Sequence, residues 1–196
     1  MKDLFKERER GEEAEHFRRE DARLIEKMRA RARIGEIAQA LAAKLRIDNA
    51  ELLRRVADLG LDHETGPAIL VAPLVQVAWA EGSVSHAERR SVLEQAAKRG
   101  VTPGTPVYEK IVEWLEHRPS DALFETAMEV MRVGFSVLPE AERDERIRGL
   151  VAACRKVAEA SGGGLAWLLG IGESVPADES RVLDEITTKL RATPRR

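Results

Sequence analysis

The first 45 residues differ from the rest of the chain in how apolar side chains are spaced. Residues 3–45 contain no proline and are rich in Glu, Arg, Lys and Ala, which are strong helix formers. Large apolar side chains are sparse there, and Phe17, Leu24 and Met28 follow one another at spacings of seven and four, as in a short heptad seam. The pattern predicts one long charged helix of about 60 Å.

From residue 48 onward the chain has the denser apolar pattern of a folded core. The pairs Asp48 with Glu51 and Ser85 with Glu88 have the spacing of a capping box, which predicts two helix starts. Between them, the almost wholly apolar residues 68–80 predict a buried central helix. Further helices are predicted to begin at Thr105-Pro106, Pro119-Ser120, Pro139 and, for a last helix that reaches Leu190, at about Pro176.

These patterns predict an all-α protein in three parts. Residues 1–45 form a long charged helical arm, residues 48–190 a compact helical domain, and residues 191–196 a short basic tail. Because the strong apolar stripes and most of the helix caps lie in residues 48–190, we expect that domain to fold without the arm.

The stretch 77–93 has a weaker copy near the C-terminus. Ser83-Val84 aligns with Ser174-Val175, and Glu88 aligns with Glu179, although the copy is interrupted by an insertion rich in glycine and apolar residues. A motif that recurs in this way predicts an internal duplication of a helix-turn-helix unit.

The turn Ala80-Glu81-Gly82-Ser83-Val84-Ser85, followed by Glu88, resembles the motif of the TerB-like family of tellurite-resistance proteins, and the resemblance covers residues about 65–190. That family consists of all-helical domains with such a duplication, and its turn reads Ala-Asp-Gly-Glu-Val-Ser-x-x-Glu. Glu81 stands where the family has aspartate, and Ser83 where it has glutamate.

The turn acids of that family are associated with divalent cations, so the resemblance implies a metal-binding stress-response domain as an alternative function. The candidate ligands are Glu81, Glu88, Glu159 and Glu179. Calcium takes about six to eight oxygen ligands. A structural interpretation competes with this one, because Glu88 is also placed to complete a capping box with Ser85, and Glu179 to lie near the positive end of the last helix.

Residues 5–18 resemble the inhibitory segment of the natural protein inhibitor of F-type ATP synthase, which reads Phe-x-x-Arg-Glu-x-x-Glu-Glu-x-x-Tyr-Phe-Arg. His16 replaces the tyrosine, and the matching residues are Phe5, Arg8, Glu9, Glu12, Glu13, Phe17 and Arg18. In that family the helix wedges into a catalytic interface of the ATPase head. The resemblance implies a helix that binds a protein partner through Phe5, Arg8, Glu12, Glu13, Phe17 and Arg18.

Charge is distributed unevenly along the same helix. Residues 7–21 carry seven acids against four arginines, whereas residues 23–33 carry five basic side chains against one acid. This order complements the helix dipole and also favours antiparallel pairing of two copies. Partner binding, self-association and a solvated helix without a partner all remain open at this point.

Composition excludes several other classes of function. A net charge of −2 gives no reason to expect nucleic-acid binding, and no apolar run approaches the roughly 20 residues of a membrane span. The single cysteine, Cys154, falls on an apolar stripe and suits a reducing compartment. No catalytic constellation or cofactor motif is present. We therefore expect a cytoplasmic, non-enzymatic interaction or regulatory protein.

Overall fold

The computed structural model describes the backbone of residues 2–42, 47, 49–161 and 177–192, with side chains at 15–41, 47, 49–160 and 180–192. Within these ranges the protein is all-helical, as predicted, and contains no strand. Its elements are α1 (Lys2–Ala42), α2 (Ala50–Asp58), a 3-10 helix (Gly66–Val71), α3 (Ala72–Ala78), α4 (His86–Ala97), α5 (Pro106–Glu116), α6 (Asp121–Ser136), α7 (Glu140–Ser161) and α8 (Ala177–Arg191).

Side-chain caps determine where several helices begin. The predicted capping box at the start of α4 is confirmed, since Ser85 Oγ accepts from the Glu88 N–H at 3.2 Å and Glu88 Oε2 accepts from the Ser85 N–H at 2.7 Å. The box predicted from Asp48 and Glu51 is wrong. Asn49 is the N-cap of α2, and its Oδ1 accepts from the Leu52 N–H at 3.0 Å. Asp48 lies outside the described residues.

The apolar stretch predicted as one helix over residues 68–80 consists of two. A 3-10 helix occupies Gly66–Val71, and α3 begins at Ala72 and ends at Ala78. Pro73 explains the break, because proline has no N–H to continue a helical ladder and is tolerated only in the first turn of a helix. Here it stands in the first turn of α3.

The α3 helix is the centre of the core, as its apolar sequence predicted. It packs against α4, α5, α6, α7, α8 and the 3-10 helix, and Leu74, Val75 and Val77 are completely buried. Beside it, the indole Nε1 of Trp79 donates to the carbonyl oxygen of Trp114 at 2.8 Å. The pairs α3 with α4 and α7 with α8 each pack together, but residues 162–176, which hold the second turn, lie outside the described residues.

The last turns of α1 belong to the core. Ile37 and Leu41 are completely buried, Ile34 is partly buried, and α1 packs against both α2 and the 3-10 helix. Every side chain from Glu15 to Arg33 is exposed. The division into an arm and a domain stays a prediction, but the change from exposed to buried side chains lies near residue 34, within the predicted arm.

Candidate interaction surface

Four large apolar side chains on α1 lie in solvent and define what we call the α1 stripe. Phe17 is 65% exposed, Leu24 57%, Ile25 49% and Met28 63%. Only one other large apolar side chain among the described residues, Val137 at 58%, is comparably exposed. The sequence pattern indicated three members of the stripe. It missed Ile25, which does not follow the spacing of seven and four.

The α1 stripe does not point in the same direction as the part of α1 that packs on the core. At about 100° per residue, Phe17, Leu24 and Met28 fall within about 40° of one another around the helix axis. Ile37 and Leu41, which are buried, are turned by roughly 140° from that group. The stripe is therefore a second apolar face, and the described part of the chain leaves it uncovered.

The structure describes the side chains of only two of the partner-binding residues predicted in the inhibitor-like segment. Phe17 and Arg18 are both exposed on α1, and the Phe17 ring meets the His16 ring edge-on, with their centroids 6.3 Å apart. The segment's other predicted partner-binding residues lie on the helical backbone of α1, but their side chains are outside the described ones: Phe5, Arg8, Glu12 and Glu13. Two of the six predicted contacts are thus on an accessible surface, and the assignment of all six stays a prediction.

Local ion pairs stabilise α1 along its exposed part. The Arg19 and Glu15 side chains meet at 2.5 Å and those of Arg23 and Glu20 at 3.4 Å, one helical turn apart in each case. Exposed pairs of this kind contribute only a few tenths of a kcal/mol each. They help to keep α1 helical where no core supports it.

The four predicted metal ligands are not brought together among the described side chains. Glu81 and Glu159 are exposed, and the side chain of Glu179 is outside the described set. Glu88 is only 2% exposed; its Oε2 completes the capping box, while its buried Oε1 has no hydrogen-bond partner among the described residues. Across the described part of the chain, no three His, Cys, Asp or Glu side chains form a group suited to a metal ion.

A cleft of about 990 Å³ lies where the end of α4 meets the 3-10 helix, α6 and α7. Apolar side chains such as Met131 and Phe135 line it together with both acids and bases. One of the bases, Arg99, is half-buried, and desolvation lowers the pKa of its guanidinium. Sequence reasoning missed this cleft, because its walls come from segments that are distant along the chain. The mixture of charges does not select one class of ligand.

Cys154 is completely buried on α7, as its place on an apolar stripe predicted. Desolvation raises the pKa of its thiol to about 12, and the nearby Arg99 opposes this shift only in part. The thiol is therefore protonated at neutral pH. A nucleophilic cysteine requires the thiolate, so Cys154 acts as a small apolar core residue.

No protein-family model, curated protein or solved structure matches this chain. The resemblances to the TerB-like family and to the ATP synthase inhibitor therefore rest on their motif residues alone. In the part of the chain that the structure describes, none of the helices has the length and apolar character needed to cross a membrane.

Proposed function

We propose that this protein is a non-enzymatic interaction protein that binds a protein partner through the α1 stripe. The observation that supports the proposal is the exposure of Phe17, Leu24, Ile25 and Met28 on one side of a helix, a side that the described part of the core does not cover. Single exposed apolar side chains are normal on protein surfaces, whereas four within about 16 Å of helix form a continuous face.

The spacing of the stripe fits a helix that lies in a groove of another protein. Helices bound in this way present apolar anchors one and two turns apart, as Leu24, Met28 and Phe17 are. Complete burial of each side chain is worth about 1.5–3 kcal/mol, and these side chains are half-exposed or more in the free protein. Burial of the stripe therefore contributes favourable free energy to binding, and polar contacts around it have to supply the rest, because association itself costs translational and rotational freedom.

The ATPase head of an F-type ATP synthase is the specific partner that the inhibitor-like segment favours. In this version the protein is a cytoplasmic regulator whose α1 enters the head and slows ATP hydrolysis. Phe17 and Arg18 support it, because both are exposed on a helical backbone that extends from Lys2.

The test is ATP hydrolysis by the purified ATPase head of the host with increasing amounts of the full chain. We expect slower hydrolysis with the wild type, and a loss of this effect with Phe17→Ala. Glu26→Ala is the matched control, because Glu26 is exposed on the side of α1 opposite the stripe. Full hydrolysis at saturating protein excludes the ATPase version.

The broader proposal is tested separately from the ATPase. A photo-cross-linking amino acid at position 17 should join the protein to a specific partner in host extract, whereas the same group at position 26 should not. Equal cross-linking from both positions would show that the stripe does not direct binding.

A second candidate function, the binding of a divalent cation, is favoured by one observation. Glu88 Oε1 is buried without a hydrogen-bond partner among the described residues, and an unpaired buried carboxylate oxygen is costly. Calcium takes roughly six to eight oxygen ligands, and the described acidic side chains do not form such a group. Some of the further ligands, Glu179 among them, have to come from side chains outside the described ones.

Calcium titration followed by the melting temperature and by tryptophan fluorescence tests this candidate. A rise in the melting temperature of the wild type that is lost in Glu88→Gln supports it. Glutamine also serves at the third position of a capping box, so the variant keeps the cap and removes the charge. A cation at Glu88 is excluded if calcium leaves the melting temperature of the wild type unchanged, or raises that of Glu88→Gln by the same amount.

A further inference from the structure

Six exposed positions of α1 follow the alternating spacing of four and three that characterises a coiled-coil seam. They are Phe17, Asp21, Leu24, Met28, Arg31 and Gly35. Three of them belong to the α1 stripe. The other three are an acid, a base and a glycine, which are unfavourable in a seam unless each meets a complementary residue.

One antiparallel register of two copies places a complementary residue opposite each of Asp21, Arg31 and Gly35. In it, Leu24 faces Met28 of the second copy, Asp21 faces Arg31, and Phe17 faces Gly35. The small residue lies opposite the large one, and a Cβ at Gly35 would meet no atom within 4 Å in the free protein, so the space beside it is open. The acid meets the base at the same time as the apolar side chains meet one another.

Other arrangements of two α1 helices lose this complementarity. A parallel pair in register places Asp21 against Asp21 and Arg31 against Arg31, and the acid-rich residues 7–21 beside their own copy. Moving the antiparallel register by one heptad in either direction places Asp21 against Leu24, or Met28 against Arg31. Each shift therefore sets a charge against an apolar side chain, which costs desolvation without a pair.

One interaction in the favoured register is repulsive. The two copies of Lys27 lie near each other beside the centre of the seam, while the two copies of Ile25 lie near each other on its opposite edge. Lys27 is exposed, and its flexible stem lets the ammonium group extend into solvent. The cost is therefore small compared with the burial of the stripe on both helices.

We propose that this protein pairs with a second copy of itself through this antiparallel seam, and that pairing and partner binding compete for the α1 stripe. The competition rests on the proposed function, but the pairing does not. The paired form would be the resting state, with Phe17, Leu24 and Met28 covered, and a partner would bind the separated chains.

Sedimentation equilibrium of the full chain and three variants tests the register. We expect a dimer for the wild type and weakening of at least about tenfold for Asp21→Arg and for Arg31→Asp alone, since each sets like charges face to face. The double variant restores opposite charges across the pair and should recover the wild-type affinity. Both positions are exposed, so all four proteins should melt alike at a concentration low enough for each to be monomeric.

Disulfide formation tests the orientation. A mixture of Leu24→Cys and Met28→Cys chains should form a cross-linked dimer on oxidation, whereas neither variant should do so alone, because a disulfide requires Cα atoms within about 7 Å. The natural Cys154 does not interfere, since it is completely buried. Cross-linking of each variant to itself would show parallel pairing and overturn the register.

The outcomes separate this inference from the proposed function. If the protein is monomeric at its highest soluble concentration, the pairing is overturned. Binding of a different protein is then tested separately, by cross-linking from position 17. If the chain pairs and a partner also binds, Asp21→Arg should bind it at a lower total concentration than the wild type, and the double variant should not. An identical concentration dependence for all three proteins would overturn the competition.

Discussion

The Cγ2 methyl of Ile37 lies 3.6 Å from the point that a Cβ on Gly66 would occupy, so α1 is in direct contact with the 3-10 helix of the core. Ile37 is completely buried, whereas Met28, nine residues earlier, is 63% exposed. One helix therefore contributes to the core at its end and presents a free apolar face before it. These two roles lead to different expectations for substitutions along α1.

Replacement of Ile37 by alanine should lower the free energy of unfolding by about 2–5 kcal/mol, because it removes a buried side chain and leaves a cavity. Met28→Ala, on the exposed face, should change it by less than about 0.5 kcal/mol at a concentration where the chain is monomeric. Urea unfolding of the two variants measures both values. Equal effects of the two substitutions would contradict the difference in burial between Ile37 and Met28.

Removal of α1 tests the predicted division of the chain. A chain that begins at residue 48 lacks both Ile37 and Leu41, which are completely buried in the full protein. We expect it to melt cooperatively, as the capped helices of residues 48–190 predict, but at a lower temperature than a chain that begins at residue 31. A soluble 48–196 chain without a cooperative transition would show that α1 is required for folding.

Gly82 should be intolerant of a side chain, because its φ of +84° lies in the left-handed region. Gly82→Val is expected to lower the free energy of unfolding by about 1 kcal/mol or more. Gly149→Ala is the matched control: Gly149 is in the middle of α7, a Cβ there would meet nothing within 4 Å, and alanine favours a helix by about 1 kcal/mol. An unchanged melting temperature for Gly82→Val would contradict this account of the turn.

The cap of α4 should be measurable at Ser85. Its hydroxyl accepts from the Glu88 N–H, and loss of an N-cap hydroxyl costs about 0.5–2 kcal/mol. Ser85→Ala should therefore destabilise the protein by that amount in urea unfolding. Ser83→Ala, an exposed position two residues earlier, should have little effect. A similar loss from both variants would argue against the cap.

The buried thiol of Cys154 gives a pH dependence of known sign. Its pKa is raised from an ordinary value of 9.0 to about 12 in the folded state, so well below pH 9 the thiol is protonated in both states and contributes no slope. As the pH rises from about 9 towards 12 the unfolded chain loses the proton first, and stability falls. Urea unfolding across this range should show a steeper decline for the wild type than for Cys154→Ala. Parallel declines would contradict the raised pKa.

Much of the fold followed from local sequence. The all-α class and the starts of α4, α5 and α6 were predicted from apolar periodicity and from Ser85, Thr105 and Ser120, and each of these three side chains accepts the expected backbone N–H. Such features depend on residues within one or two turns, so a sequence window contains their causes. The break before α3 was also encoded locally, by Pro73, but the apolar run around it concealed the signal.

Tertiary structure decided which faces of the helices are covered. Leu24, Met28, Ile34, Ile37 and Leu41 look alike as apolar positions on one long helix, yet the first two are exposed, Ile34 is partly buried and the last two are completely buried. The difference arises from contacts of α1 with α2 and the 3-10 helix, which no local pattern contains. The cleft beside Arg99 and the burial of Glu88 depend in the same way on packing between distant segments. The sequence determined where helices form, because their hydrogen bonds are local, and the packed core decided which of their side chains remain free to bind.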